Sequence, residues 1–152
     1  METGVNQLGF ISSYSPIQDN GMGVNTAGAP YYGMLAFAAA FAGCQQISPL
    51  EAEDLNSSVS AYALGSGGTP RCVVAVNTDP LKPASVSATA LEFPRARLLR
   101  LLAAAGSSTS GVTLGGAAVD ASGRWQPITK ERVRYRHFFV PAMSAAILIS
   151  DS

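Results

Sequence analysis

Charge is scarce in this chain. Asp, Glu, Lys and Arg make up 13% of 152 residues, well under the usual quarter. A disordered acidic or basic tail is thereby excluded, since 47% of the residues are hydrophobic and such tails are polar and highly charged. There is one histidine, His137, and there are two cysteines, Cys44 and Cys72. A four-ligand zinc site cannot be assembled from that set, so no metal is expected. The cysteine pair fits either one disulfide in an oxidising compartment or two buried thiols. No stretch approaches the ~18 apolar residues of a membrane span. The longest candidate, Leu35 to Ala42, stops at Gly43. After Met1, Glu2 and Asn6 stand where a signal peptide has its basic and apolar regions.

Basic residues are missing from the first half altogether. Residues 1–70 hold five acids and no Lys or Arg, whereas residues 71–152 hold all ten bases and five acids. Such asymmetry fits two segments that face one another, or a surface turned toward a polyanion.

What is present changes period once. Residues 5–13 fit a short strand running into a loop, and the Gly- and Asn-rich residues 18–29 read as loop. Pro30 then opens a helix, where its missing N–H costs nothing. Tyr31, Met34, Leu35, Ala38, Phe41 and Ala42 recur at helical spacing as one apolar stripe, and Gly43 caps the end. Beyond Gly43 the period falls to two. Strands are expected at Cys44–Ile47, Val59–Leu64, Cys72–Asn77, Ser85–Ala90, Arg97–Leu102, Val133–Val140 and Ala145–Ser150. Turn signals such as Gly65-Ser66-Gly67-Gly68 and Asp79-Pro80 separate them, the pattern of an antiparallel β-sandwich. By composition alone, Arg97–Ala105 also fits a short helix. Residues 112–125 resemble a hairpin-like unit ending in the single tryptophan, Trp125, expected to pack under a loop.

Catalytic constellations are lacking. A retaining glycosidase needs two carboxyl groups about 5–5.5 Å apart. Glu51, Glu53 and Asp54 sit on a polar loop, Asp19 stands alone, and Glu131 between Lys130 and Arg132 is held ionised and makes a poor acid. His137, in Arg136-His137-Phe138-Phe139-Val140, belongs to a strand heading into the core, with no nucleophile elbow to serve. Gly21-Met22-Gly23 and Gly65-Ser66-Gly67-Gly68 lack the helix or lysine of a phosphate cradle, so no cofactor is expected. One feature remains. Lys130, Arg132, Arg134 and Arg136 alternate along the expected strand and would share one face. A row of cations about 7 Å apart suits a sulfated or uronic-acid polymer. It equally suits a solvated face whose cations pair with Glu51, Glu53 and Asp54. Tyr135, between two of the cations, would point to the opposite face with Val133, so no stacking aromatic shares the cation face, which disfavours nucleic acid.

The order of motifs carries a resemblance. Tyr14-Ser15-Pro16-Ile17 comes first, then Pro30-Tyr31-Tyr32-Gly33-Met34-Leu35 with Phe37, and Val74-Ala75-Val76-Asn77. Gly111-Val112-Thr113-Leu114-Gly115-Gly116 with Trp125 and Pro127 follows, and Phe138-Phe139-Val140 with Ala145–Ile149 closes the series. The series resembles the C-terminal portion of glycoside hydrolase family 79, the heparanases and β-glucuronidases. The resemblance implies a (β/α)8 barrel with two catalytic glutamates and a mainly C-terminal β-sandwich. Residues 1–43 would then be the last strand–loop–helix unit of the barrel and residues 44–152 the sandwich. Neither catalytic glutamate has a counterpart here, so the chain alone is expected to be inactive. Tyr14 matches a sugar-contacting position after the last barrel strand. The partner would be the barrel, or a second copy pairing through an exposed edge, and family members are secreted or periplasmic.

Overall fold

The computed structural model describes residues 15–19, 25–42, 46–49, 58–67, 69–88, 95–129, 131–133 and 137–151. The fold is mainly β, with antiparallel sheets and a single helix among the described residues. Three layers stack: a helix, a seven-stranded sheet and a two-stranded ribbon.

The helix, α1, spans Ala29–Phe41. Proline in its first turn and the run of alanines favour it. Gly28 precedes it, held by an N–H to Pro16 carbonyl bond of 2.8 Å. A Cβ there would stand 2.6 Å from the Ser15 carbonyl oxygen, so only glycine lets the segments approach. Before the helix, β1 (Ile17–Asp19) pairs antiparallel with β2 (Asn25–Ala27). The expected loop over residues 18–29 therefore includes a small β-ladder. Three-residue strands with polar members give too few alternating positions for a period to register.

The large sheet contains β3 (Gln46–Pro49), β4 (Val59–Ser66), β5 (Thr69–Asn77), β7 (Ala96–Leu102), β8 (Thr113–Leu114), β9 (Glu131–Val133) and β11 (Ser144–Ser150). Its order is β3-β4-β5-β11-β7-β8, and β9 also pairs with β7. Residues 96–102 are thus strand, not helix. A bulge at Leu64/Gly65 breaks the β4–β5 register. A side chain on Gly65 would collide with the Thr69 backbone. The ribbon pairs β6 (Ala84–Ser87) with β10 (His137–Val140).

Strand alternation divides the core in two. Leu64, Cys72, Leu99 and Ile147 point to α1 and meet Tyr32, Ala36 and Ala40. Val73, Ala75, Leu98, Ala146 and Leu148 point the other way and meet Phe138 and Val140 of the ribbon. Covered on both faces, β11 reads as a nearly unbroken apolar run. Each fully buried Leu or Ile here contributes roughly 1.5–3 kcal/mol.

Two further expectations are corrected. The helix buries Tyr32, Ala36 and Ala40, whereas Met34 and Ala38 of the expected stripe are exposed. Small residues at four-residue spacing let the helix lie close to the sheet, and a helix apolar on every side offers no polar face to orient it by. The described ends of the strand expected over Val133–Val140 belong to different sheets. Its first part pairs with β7 in the large sheet and its second with β6 in the ribbon.

Candidate binding surfaces

Polar side chains tie the layers together. Asn77, at the end of β5, is 1% exposed. Its amide nitrogen donates to the carbonyls of Lys82 at 2.8 Å and of Val140 and Pro141 at 3.1 Å. Its oxygen accepts the Asp79 N–H at 2.9 Å. The Asp79 carboxylate in turn accepts the N–H groups of Leu81 and Lys82. This one amide joins the large sheet, the 78–83 turn and the end of the ribbon strand β10.

Arg100 makes a second tie. From β7 it grips Glu131 of β9 with two bonds of 2.8 Å and donates to the Phe139 carbonyl of β10 at 2.6 Å. The bidentate fork suits a planar guanidinium. Hydrogen bonding and then the charge of Arg100 hold the Glu131 carboxyl below its usual range, and the Arg100 guanidinium is raised in return. The residue that keeps Glu131 ionised is thus Arg100, far away in sequence. A third tie runs from Tyr32, whose hydroxyl accepts the Val119 N–H at 2.9 Å. Trp125 is half-buried against the helix-side core and donates its indole N–H to Leu114 at 2.9 Å. It is a packing residue beneath a loop.

Catalytic chemistry is not assembled among the described residues. Glu131 is committed to Arg100, Asp151 to Arg132, and Asp79 to its own turn. Asp120 accepts from the Ser122 hydroxyl and from the N–H groups of Ser122 and Arg124, which keep its carboxyl below the ordinary range. His137 is exposed at the start of β10, not directed into the core. An open pocket of about 280 Å³ lies where α1 begins and β5 and β7 end, near Met143 and Gly106; among the described residues no carboxylate, imidazole or thiol lines it. Met143 has φ of 49°, and its side chain occupies the space that a side chain on Gly106 would need. No group of three or more His, Cys, Asp or Glu residues that could hold a metal occurs among the described residues. None of the described helices is long and apolar enough to cross a membrane.

Among the described residues, two surfaces bear on binding. The outer side of α1 presents Met34, 45% exposed, and Phe37, 54% exposed. Phe37 stacks on Phe41 with centroids 5.1 Å apart. The other surface is basic. Arg132 in β9 keeps 68% of its side chain exposed while bonding Asp151 at 2.7 Å. Of the expected cation row, Lys130, Arg134 and Arg136 lie outside the described residues, as do Tyr14, Cys44, Glu51, Glu53 and Asp54. Residues 5–13, read as the last barrel strand, lie outside them too. Asn77 and Arg100 escaped sequence reasoning. Each belongs to a strand whose pattern is fixed by its apolar neighbours, and each finds its partners only after distant segments meet.

No protein-family model matches the chain, and no curated protein matches it. Among solved structures, a 4-O-α-L-rhamnosyl-β-D-glucuronidase from Fusarium oxysporum, in complex with Rha-GlcA, aligns with a TM-score of 0.65 at 24% identity. The alignment covers 82% of this chain and 30% of that one. The two share a fold. A GH51 arabinofuranosidase from Xanthomonas axonopodis pv. citri aligns at 18% identity and a TM-score of 0.48, over 90% of this chain and 28% of that one. Both similar proteins are glycoside hydrolases, and this chain spans less than a third of either.

Proposed function

We propose that the chain is the non-catalytic β-domain of a family-79-like glycoside hydrolase, packing on a (β/α)8 barrel and stabilising it. The carrying observation is α1, Ala-Pro-Tyr-Tyr-Gly-Met-Leu-Ala-Phe-Ala-Ala-Ala-Phe, without one charged residue on any side. Its inner side rests on the sheet, and its outer side leaves Met34 and Phe37 in water. A helix apolar all round belongs between two layers, and one of those layers is the barrel. The fold shared with part of a glucuronidase supports the same reading. Residues 1–43 then close the barrel and residues 44–152 form the sandwich. Tyr14 stands at the active-site rim, and the intact enzyme is a retaining β-glucuronidase or heparanase-like hydrolase of uronic-acid glycans.

The pure chain should release no 4-nitrophenol from 4-nitrophenyl β-D-glucuronide. The reading frame that encodes it should supply a barrel with two glutamates. Hydrolysis by the pure chain, or an in-frame stop codon directly before Met1, would overturn the proposal. Where the barrel is absent, a second copy covers the α1 face. Sedimentation should then show dimers that Met34→Ser/Phe37→Ser returns to monomer.

A second reading is favoured by the exposure of Arg132: a glycan-binding module using Lys130, Arg132, Arg134 and Arg136. Salt-sensitive retention on heparin, lost in Arg132→Ala/Arg134→Ala, is its expected signature. Passage of the wild-type chain through heparin at low salt removes it.

A further inference from the structure

The β7–β9 register sets Arg97 directly opposite Arg132. Both side chains are exposed. Arg97 shares the parity of Leu99, so the pair lies on the face of the large sheet that also carries α1. Directly opposed cross-strand residues stand about 4.5–5.5 Å apart at Cβ, and like charges so placed weaken a ladder. Strands that tolerate this arrangement normally supply a counter-charge. Among the described residues one counter-charge is present: Asp151 accepts from Arg132 at 2.7 Å. Asp151 is itself fixed, because its N–H donates to the Arg95 carbonyl at 2.9 Å. Among the described residues Arg97 has no ion pair. Arg95, two residues before it, is exposed as well. Two arginines therefore face each other across the ladder, and among the described residues the one carboxylate beside them is bonded to Arg132.

We propose that Arg97 and Arg132 form a binding site for one anionic group of an acidic glycan, a sulfate or a uronate carboxylate. Asp151 is its internal competitor, occupying Arg132 until the ligand arrives. Paired guanidinium forks match planar and tetrahedral oxyanions with directional bonds, which lysines cannot do. Neither β7 nor β9 carries an aromatic ring, so the stacking platform that single-stranded nucleic acid needs is missing from both strands. The site rests on the glycan-binding reading and adds Arg97, which lies outside the cation row.

The competitor gives the test two opposite signs. A heparin hexasaccharide is titrated calorimetrically into the full chain at low salt. Arg97→Gln should weaken binding about threefold to tenfold, as expected for losing one screened charge-assisted contact. Its salt dependence should be shallower by about one released counterion. Asp151→Asn should tighten binding about twofold to threefold, by freeing Arg132 from a surface ion pair. Melting curves near the wild type establish that both variants fold. If the wild-type chain fails to bind, the glycan reading and the site both fall. If it binds while Arg97→Gln and Asp151→Asn leave the affinity unchanged, the site falls alone and binding lies elsewhere. Equal affinity for a single-stranded oligonucleotide of the same charge overturns the glycan assignment.

Discussion

Replacing Asn77 with alanine tests the layer architecture most directly. The substitution strips bonds from the carbonyls of Lys82, Val140 and Pro141 and from the N–H of Asp79. The Val140 contact is buried and the others are part-buried. An orphaned buried carbonyl costs about 1–3 kcal/mol, and a lost bond that water can replace costs about 0.5–1.5 kcal/mol at most. The expected loss is about 3 kcal/mol, a large part of a typical total stability of about 5–15 kcal/mol. For a chain of this length that is a fall of about 10 °C in melting temperature. Urea unfolding followed by Trp125 fluorescence measures it. The exposed Thr78 hydroxyl, which donates to Ser58 at 2.9 Å, provides the control, and Thr78→Ala should cost about 0.5 kcal/mol. Asn77→Asp adds a sign. The new carboxylate would face three carbonyl oxygens in a buried place, raising its pKa above the unfolded value of about 3.9. The native state then binds more protons than the unfolded one, so stability falls as pH rises and recovers in acid. A loss below about 1 kcal/mol in Asn77→Ala, or a pH trend of the opposite sign in Asn77→Asp, would refute the clamp.

Glu131, held below its usual range by Arg100, contributes stability above the ordinary glutamate range, about pH 4.3. The contribution disappears as pH falls through the depressed folded value. With its side chain 42% exposed, it is worth no more than about 1 kcal/mol, and Glu131→Gln should flatten that part of a pH-dependent unfolding curve. Gly115 has φ of 57°, and a Cβ there would stand 2.7 Å from the Pro127 Cβ. Gly115→Ala should cost about 2–4 kcal/mol by left-handed strain and overpacking. Gly67→Ala, at φ of 60° in open space, should cost only about 1 kcal/mol. Equal losses in the two glycine variants would show that crowding by Pro127 is absent.

The sheet was legible where strand alternation meets a two-sided core. Ala145–Ser150 falls within one residue of the observed strand, and Cys72–Asn77 lies inside the observed Thr69–Asn77 and shares its end, because apolar runs bounded by turn signals admit few other conformations. Helix α1 was legible in position through Pro30 and the alanines. Its buried side was not, since every side is apolar and only the sheet beneath decides which one packs. That β9 and β10 belong to different sheets was hidden for a related reason. The alternation of Arg132, Val133 and the residues after them fits a straight strand, while the change of layer is imposed by β7 and β6. As for the surfaces, the row beginning at Lys130 was visible in the sequence. Arg97 was not, because cross-strand register cannot be read from one strand.

The position of β11 has a consequence for how the protein is made. It lies at the centre of the large sheet, hydrogen-bonded to β5 on one side and β7 on the other, yet it follows both in sequence. A ribosome delivers β5 and β7 with a gap between them that only β11 can fill. Until it emerges, two inner strand edges face the cytosol or the translocation channel, and unpaired edges invite pairing with the wrong chain. Assembly is therefore limited by long-range contacts formed late, a slow and aggregation-exposed route. Yield of this protein should depend on synthesis rate and chaperone supply more than its finished stability would suggest.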